Sequence, residues 1–310
     1  MIKVDLITGF LGSGKTTFLK KYAKYFIDKG QRVGVLENDY GAVNVDMLLL
    51  NELRGDYCEL EMVAGGCGAD CHKRRFKTKL ISMGMSGYDR VIVEPSGIFD
   101  VDEFFDTLRE DPLERWYEIG NVIAIVDARL EDDMSKEADF YLASQVANAG
   151  VIMLSRSQLV SKDKIMKTKK HLLLAAKETK LDREIEDIIR EDNWDDLSPK
   201  DFDDIANSGY KISAYKKLLN GHDNDYSTVY FLEVKIDRKT IKEKINLLMS
   251  DDIYGKVLRV KGFFIEDGKW YQVNATKNDM DIVNIPIGQE VFIVIGENLN
   301  KEQIENLILK

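Results

Sequence analysis

The segment from Gly9 to Thr16 constrains the fold of this chain more than any other, because it reads GFLGSGKT between an apolar run and an amphipathic run. Gly9, Gly12 and Gly14 allow a tight turn that points backbone N–H groups inward, and the helix that follows adds the positive end of its dipole. Such a loop binds a polyphosphate. Its position between a strand and a helix favours this interpretation over a chance match.

Polar side chains of the loop complete the expected phosphate site. Lys15 is expected to reach the β- and γ-phosphates as a point charge, and the Thr16 hydroxyl to complete the coordination of a magnesium ion. Ser13 and Thr17 lie on either side of these two residues and belong to the same nucleotide-binding set. The sequence therefore predicts a nucleoside triphosphate hydrolase with Lys15 in a catalytic role.

Two further apolar runs end in carboxylates, in the segments LENDYG and VIVEPSG. In a doubly wound sheet the ligand crevice lies at the carboxyl ends of the strands. Glu37, Asp39 and Glu94 are therefore candidate magnesium ligands, and Asp39 and Glu94 are also candidate catalytic residues that position the attacking water. Gly97 is expected to donate its N–H group to the γ-phosphate.

The first part of the chain alternates short apolar runs with helical periods, which predicts an α/β fold with a doubly wound, mainly parallel sheet. Residues 131–147 and 161–190 have charged, helical patterns. We expect this nucleotide-binding domain to span residues 1–218. A polar, turn-rich linker at 219–226 would join it to a smaller α+β domain at 227–310, with the order β-α-β-β-β-α and an antiparallel sheet.

Composition excludes several classes of protein. The formal net charge of −10 argues against a broad nucleic-acid surface, because phosphate contacts need clustered Lys and Arg. No run approaches the roughly 18 apolar residues of a membrane-spanning helix, and the start of the chain does not resemble a signal peptide. We therefore expect a cytoplasmic protein with no membrane partner, and the sequence leaves the oligomeric state open.

Several segments together resemble the CobW-like GTPases, which are relatives of the HypB and UreG metal-insertion GTPases. The resemblance covers nearly the whole chain and rests on GFLGSGKTTFL, ENDYGAVNVD, GGCGADC, EPSG, IVDA, YGKVLRVKGFF and KWYQVNAT. It implies GTP hydrolysis coupled to the handling of a metal or a metal-containing cofactor, with a client metalloprotein or corrinoid protein as partner.

The element that reads the base departs from the family pattern. After the apolar run VIML, where the family has an N-K-x-D type element, this chain has Ser155, Arg156, Ser157 and Gln158. The Gln158 amide replaces a carboxylate that would make two charge-assisted bonds to guanine, and Arg156 offers a plane for stacking on a base. Ser155, Arg156 and Gln158 are the predicted base site. GTP is the favoured nucleotide, and ATP is the alternative.

The thiol segment departs from the family pattern G-C-x-C-C as well. Cys67 matches that pattern, and Cys71 and His72 follow it. Cys67 and Cys71 with one more ligand from Cys58, Glu61 or His72 would suit Zn²⁺ or Co²⁺. Packing without function and a reversible redox pair are the alternatives for these thiols.

The resemblance and the residues together predict a switch protein that delivers or inserts a metal or metal-containing cofactor into a client. One alternative is an ATP- or GTP-dependent accessory protein for corrinoid-protein reactivation or cobalamin metabolism, without a metal site of its own. A small-molecule kinase with a P-loop is a weaker alternative, because the sequence shows no separate Arg-rich lid.

Overall fold

The computed structural model describes residues 1–39, 50–64, 69–97, 99–131, 134–215, 226–277, 279–285, 288 and 290–309. Backbone contacts divide the chain into two compact units, Met1–Leu218 and Leu219–Lys310. Of the segment interpreted as a linker, the described ranges contain residue 226 alone, so its extent stays a prediction. No helix within these ranges is long and apolar enough to cross a membrane.

The first unit is built on a parallel sheet. Its described strands are β1 (Ile2–Thr8), β2 (Val33–Asp39), β3 (Cys58–Ala64), β4 (Arg90–Pro95), β5 (Tyr117–Asp127), β6 (Val151–Ser155) and β7 (Ile189–Arg190). They lie in the order β3-β2-β4-β1-β5-β6-β7, and each neighbouring pair is parallel. The carboxyl ends of β1, β2 and β4 therefore lie together at the same end of the sheet.

Helices cover both faces of this sheet. They are α1 (Lys15–Asp28), α2 (Ala69–Gly84), α3 (Val101–Leu108), α4 (Leu113–Trp116), α5 (Lys136–Val146), α6 (Lys162–Glu178) and α7 (Pro199–Ala206). One core joins α1 and α7 to the sheet, and a second core joins α2 through α6 to its other face. The predicted doubly wound α/β fold is confirmed.

Three elements differ from the sequence-based expectation. The helix expected to reach residue 190 ends at Glu178, because Lys180 adopts a left-handed backbone with φ of 55°. The two-residue strand β7 follows, and it is too short to show a period. Strand β3 escaped prediction because acidic Glu59 and Glu61 interrupt its apolar residues.

The second unit is an α+β domain, as predicted. Its described elements are β8 (Tyr226–Leu232), α8 (Arg238–Ser250), β9 (Lys256–Glu266), β10 (Lys269–Thr276), β11 (Asp279–Ile285), β12 (Val291–Glu297) and α9 (Lys301–Leu309). The strands form an antiparallel sheet in the order β11-β10-β9-β12-β8, and α8 and α9 share one core with it. Edge strand β11 was not predicted, because its sequence DMDIVNI is half polar.

A buried charge network holds α1 on the sheet. Asp5 of β1 is fully buried and accepts hydrogen bonds from Tyr22 of α1 at 2.8 Å, from the backbone and side-chain nitrogens of Asn121, and from Arg90. Burial raises the pKa of Asp5, and the Arg90 charge opposes that rise. Because Tyr22 belongs to the helix that follows the phosphate loop, this network also fixes the direction of that loop.

Replacement of Arg90 by Met should leave the Asp5 carboxylate buried without its cation and lower the unfolding free energy of this unit by about 3–5 kcal/mol. Native-state hydrogen exchange of the β1 and β4 amides measures that energy for this unit separately. Arg115→Met is the control, because its ion pair with Asp111 has side chains 72% and 62% exposed. The control should change the energy by less than about 1 kcal/mol, and equal effects would contradict the account.

Candidate nucleotide and thiol sites

The phosphate loop connects β1 to α1 through a backbone that requires glycine. Gly9, Gly12 and Gly14 have φ values of 145°, 75° and 99°. A Cβ atom on Gly9 would lie 2.3 Å from the carbonyl oxygen of Ile125, a distance that real side chains do not tolerate. The loop therefore has the tight shape expected of a phosphate-binding backbone.

Polar groups of the loop fit a polyphosphate. The Ser13 side chain is buried, and its hydroxyl has no hydrogen-bond partner among the described residues. Lys15 is 6% exposed, and its ammonium donates to the Gly9 carbonyl at 3.0 Å. The first turn of α1 carries no acidic residue of its own, so no side chain within the helix reduces the positive charge at this end. Thr17 is exposed at the same end of the helix.

Three of the four predicted magnesium ligands, Thr16, Glu37 and Glu94, lie at the carboxyl ends of β2 and β4 and the start of α1. The Thr16 hydroxyl donates to the Glu94 carboxylate at 2.9 Å. Glu37 lies directly opposite Glu94 in the β2–β4 ladder, and the two residues are 3% and 4% exposed. Two buried carboxylates on neighbouring strands repel each other and favour a bound cation, and a hydroxyl beside them completes an oxygen ligand set that suits Mg²⁺. The side chain of Asp39 lies outside the described part of the structure.

The loop after β4 packs directly on the phosphate loop. A Cβ atom on Gly97 would lie 2.5 Å from the Leu11 nitrogen and 2.8 Å from its Cα atom. The backbone at Ser96 is tied to β2, because its N–H donates to the Asn38 carbonyl at 2.9 Å. Gly97 is therefore placed beside the phosphate loop, as its predicted contact with the γ-phosphate requires.

Sequence reasoning missed a residue that joins these two loops. Gln145 of α5 is fully buried, and its Oε1 atom accepts from the Thr8 hydroxyl and from the Gly9 N–H group at 3.2 Å. Its Nε2 atom donates to the Phe99 carbonyl at 2.9 Å. One amide therefore bonds the end of β1 to the chain that follows β4.

The base end of the site is attached to the phosphate loop by Arg156. Its Nη1 atom donates to the Gly12 carbonyl at 3.1 Å and to the Asp127 carboxylate at 2.7 Å. Arg129 also forms an ion pair with Asp127, at 3.2 Å. The structure thus gives Arg156 a bracing contact that the sequence did not suggest, and its stacking on a base stays a prediction.

Of the other predicted base-site residues, Ser155 lies close to the same loop. Ser155 is buried, and its Cβ atom is 3.5 Å from the position of a Cβ on Gly14. Gln158 is exposed in a short 3₁₀ helix, where its amide is accessible to a ligand. The Trp194 ring lies 3.6 Å from the position that a Cβ on Gly14 would take, and it packs on the Phe18 ring with 5.2 Å between centroids.

Of the two thiols within the described ranges, Cys71 on α2 lies nearer to the carboxyl ends of the strands than Cys58, which begins β3. Cys71 is half-buried and lines a cavity of about 640 Å³ together with Met62, Arg75 and other residues. The next residue, His72, is fully buried. Because successive residues of a helix point about 100° apart, the His72 side chain leaves α2 in a different direction from Cys71. Cys67 lies outside the described residues, so the predicted pairing of Cys67 with Cys71 stays a prediction.

Cys58 was wrongly assigned as a candidate ligand beside Cys71. It begins β3, whereas Met62, which shares the Cys71 cavity, is four residues further along the strand, about 13 Å away. Ligand atoms of one zinc ion lie within about 2.3 Å of it. Burial also raises the pKa of the Cys58 thiol to about 11, which disfavours the thiolate.

Glu61 forms an ion pair with Lys79 at 2.8 Å. Across the ranges that the structure describes, no group of three His, Cys, Asp or Glu side chains is placed to hold one metal ion. A transition-metal site at Cys71 therefore needs ligands beyond these ranges or from a bound partner.

Comparison with known proteins places the chain in a family. The family model for the CobW/HypB/UreG nucleotide-binding domain matches residues 3–181, a range that contains the phosphate loop, both acidic strand ends, Cys71 and the base loop. The chain belongs to this family. The resemblance inferred from the sequence is thus confirmed, and the phosphate loop belongs to a nucleotide-binding domain.

The similarity to individual relatives is limited either in sequence identity or in the length that is matched. The chain is 30% identical to the zinc chaperone YeiR of Escherichia coli (strain K12) over 158 residues, which cover 51% of this chain and 47% of YeiR, about half of each. It is 23% identical to zinc-regulated GTPase metalloprotein activator 1 of Schizosaccharomyces pombe, over 97% of this chain and 83% of that protein. The crystal structure of Zn(II)-bound YjiA GTPase from E. coli aligns over 100% of this chain and 99% of that chain, at 18% identity and a TM-score of 0.38.

Replacement of Gly97 by Ala should push the added methyl group into the Leu11 backbone and displace the phosphate loop. We expect GDP affinity to fall about tenfold, since overpacking costs about 1–3 kcal/mol. Gly55→Ala is the control, because no described atom lies within 4 Å of that added methyl group. Fluorescence titration with labelled GDP measures both, and unchanged affinity in the Gly97 variant would show that this contact does not shape the site.

Cys58 and Cys71 should differ in reactivity toward maleimide at pH 8. We expect Cys71 to be labelled in the native protein, while Cys58 resists labelling because burial excludes the reagent and holds its pKa near 11. Peptide mass spectrometry after brief exposure separates the two. Labelling of Cys58 at the rate of Cys71 would contradict the burial seen here, and labelling of both in urea is the positive control.

Proposed function

We propose that this chain is a GTPase that couples hydrolysis to the delivery of a metal ion, with zinc as the favoured cargo, to a client metalloprotein. One observation carries the proposal. The phosphate loop after β1, the carboxylates near the ends of β2 and β4, and the helix with Cys71 after β3 all follow the carboxyl ends of parallel strands in one sheet. Membership in the CobW/HypB/UreG family and the relatives named as zinc chaperones support it.

The phosphate loop binds the nucleotide in this proposal. Its backbone N–H groups and Lys15 hold the β- and γ-phosphates, and Thr16, Glu37 and Glu94 hold magnesium. Magnesium, when bound, neutralises the negative charge that develops on the phosphate oxygens. Glu94, with Asp39, positions the attacking water, and the N–H group of Gly97 binds the γ-phosphate.

The base site favours guanine in this proposal, with ATP as the alternative. Gln158 is exposed and offers both a donor and an acceptor to the base. Arg156 keeps the base loop against Gly12, so contacts to the base and to the phosphates are made by one connected unit. Competition of GTP and ATP for the labelled-GDP site measures the preference.

The metal is treated as cargo, and Cys71 is its proposed thiolate ligand, with Cys67 as the second. Cys71 lies in the first turn of α2, which follows β3, and Ala64 at the end of β3 pairs with Asp39 at the end of β2. A thiolate site suits zinc or cobalt. Hydrolysis would change the site and release the ion to a client, and the client's own ligands would then complete the transfer.

Glu94→Gln should lower the rate of GTP hydrolysis about 100-fold, because the neutral amide neither holds a cation nor orients water as the carboxylate does. Glu118→Gln is a matched control, since this exposed residue lies at the amino end of β5, opposite the carboxyl end of the strand. Phosphate release under saturating GTP measures both variants. Equal rates in the wild type and the Glu94 variant would remove this residue from the reaction.

Zinc affinity should depend on the nucleotide. We expect equilibrium titration with zinc to give dissociation constants that differ about tenfold between the GDP form and a form with a nonhydrolysable GTP analogue. Cys71→Ala should remove the difference, whereas Cys58→Ala should keep it. Identical zinc affinities in the two nucleotide forms of the wild type would overturn the proposed coupling.

A further inference from the structure

The buried side chain of Gln145 forms three hydrogen bonds that connect separate parts of the chain. It lies on the buried side of α5 beside Leu142 and Val146. Both ends of its amide are bonded, to Thr8 and Gly9 at one end and to Phe99 at the other. Because these bonds are buried, water cannot replace them without a penalty.

The Phe99 end leads to the helix that carries the thiol. The Phe99 ring is 1% exposed and packs edge-to-face on Phe76 of α2, with 6.2 Å between ring centroids. Phe76 is itself fully buried. Cys71 lies five residues before Phe76, about 7.5 Å along the helix axis. A continuous set of buried contacts therefore runs from the phosphate loop through Gln145 and Phe99 to α2.

Gly97 connects Phe99 to the phosphate loop by a second route, because its backbone packs closely on Leu11 of that loop. Gly97 is held by this close contact, and Phe99 is held by the Gln145 amide and by the bond from its own N–H group to the Ser96 carbonyl at 3.1 Å. A change of the phosphate loop that displaces the Ser96–Gly97 backbone would therefore also act on Phe99. The ring of Phe99 would then transmit the displacement to Phe76.

We propose that Gln145 is a positioning residue that couples the phosphate loop to α2, so that the bound nucleotide sets the accessibility of Cys71. This inference rests on the proposed function. It adds a defined connection between the two sites, through residues that contact neither the nucleotide base nor the metal. Gln145 does not take part in the chemistry of hydrolysis.

The test measures the alkylation rate of Cys71 by peptide mass spectrometry, without zinc, in protein saturated with Mg-GDP or with a magnesium-bound nonhydrolysable GTP analogue. In the wild type we expect the two rates to differ at least about fivefold. Gln145→Met keeps the side-chain volume but removes all three hydrogen bonds, so its two rates should be equal. Saturating nucleotide in both states makes any change of nucleotide affinity irrelevant to this ratio.

Two further variants control the result. Ser144→Ala is matched, because Ser144 is a buried neighbour on the same helix whose hydroxyl donates to the Tyr141 carbonyl and, within the described ranges, bonds neither to the phosphate loop nor to Phe99, and it should keep the wild-type ratio. Phe99→Leu retains the backbone carbonyl but loses the ring contact with Phe76, and it should also lose the ratio. This variant tests the connection even when Gln145→Met does not fold.

The outcomes separate this inference from the proposed function. If the alkylation rate depends on the nucleotide in both the wild type and Gln145→Met, the coupling role of Gln145 is overturned and the proposed function stands. If Gln145→Met does not fold, the same result in Phe99→Leu overturns the coupling role. Equal rates in the wild type would overturn the coupling, while zinc affinities that still depend on nucleotide would preserve the proposed function. Loss of the ratio in the Gln145 and Phe99 variants alone supports the inference.

Discussion

The backbone of the phosphate loop is the constraint on which the rest of the site depends, because each surrounding element contacts the loop at a different residue. The contacts are made at Gly9 by Gln145, at Leu11 by Gly97, at Gly12 by Arg156 and at Thr16 by Glu94. These elements come from distant parts of the chain. The left-handed glycines give the loop the close approach that all of them need.

Charge is balanced locally around this loop, although the chain as a whole is acidic. At the positive end of α1 the Thr16 hydroxyl bonds to the buried Glu94 carboxylate, and buried Glu37 lies opposite Glu94 on the neighbouring strand. At the base end the Asp127 carboxylate is shared by Arg129 and Arg156. A nucleotide with magnesium adds both signs of charge to such a site, so a net charge of −10 does not oppose its binding.

The sequence predicted what depends on short-range patterns. The phosphate loop and the strand-end acids follow from local spacing, and the alternation of strands and helices gives the doubly wound sheet. Gln145 escaped because its bond to Gly9 joins residues 136 positions apart, and no local pattern reports such a contact. Its one visible signal was an amide on the apolar stripe of a helix.

Cys58 shows the opposite error. Closeness in sequence to Cys71 suggested a shared site. However, a strand extends about 3.3 Å per residue, so Cys58 at the start of β3 lies far from the carboxyl end of that strand, where α2 follows. Strands β3, β7 and β11 were missed for a related reason. Each is a sheet-edge strand, where polar or short sequences are tolerated, so the apolar signal of a buried strand is weak.

The central claim is that hydrolysis at the phosphate loop releases the metal cargo. A single-turnover experiment tests it most directly, with zinc-loaded protein mixed with GTP and magnesium while a fluorescent chelator and a phosphate sensor report release. The account predicts that zinc appears with the same rate constant as phosphate. Zinc that remains bound after hydrolysis is complete, or that leaves equally fast with the nonhydrolysable analogue, would contradict it.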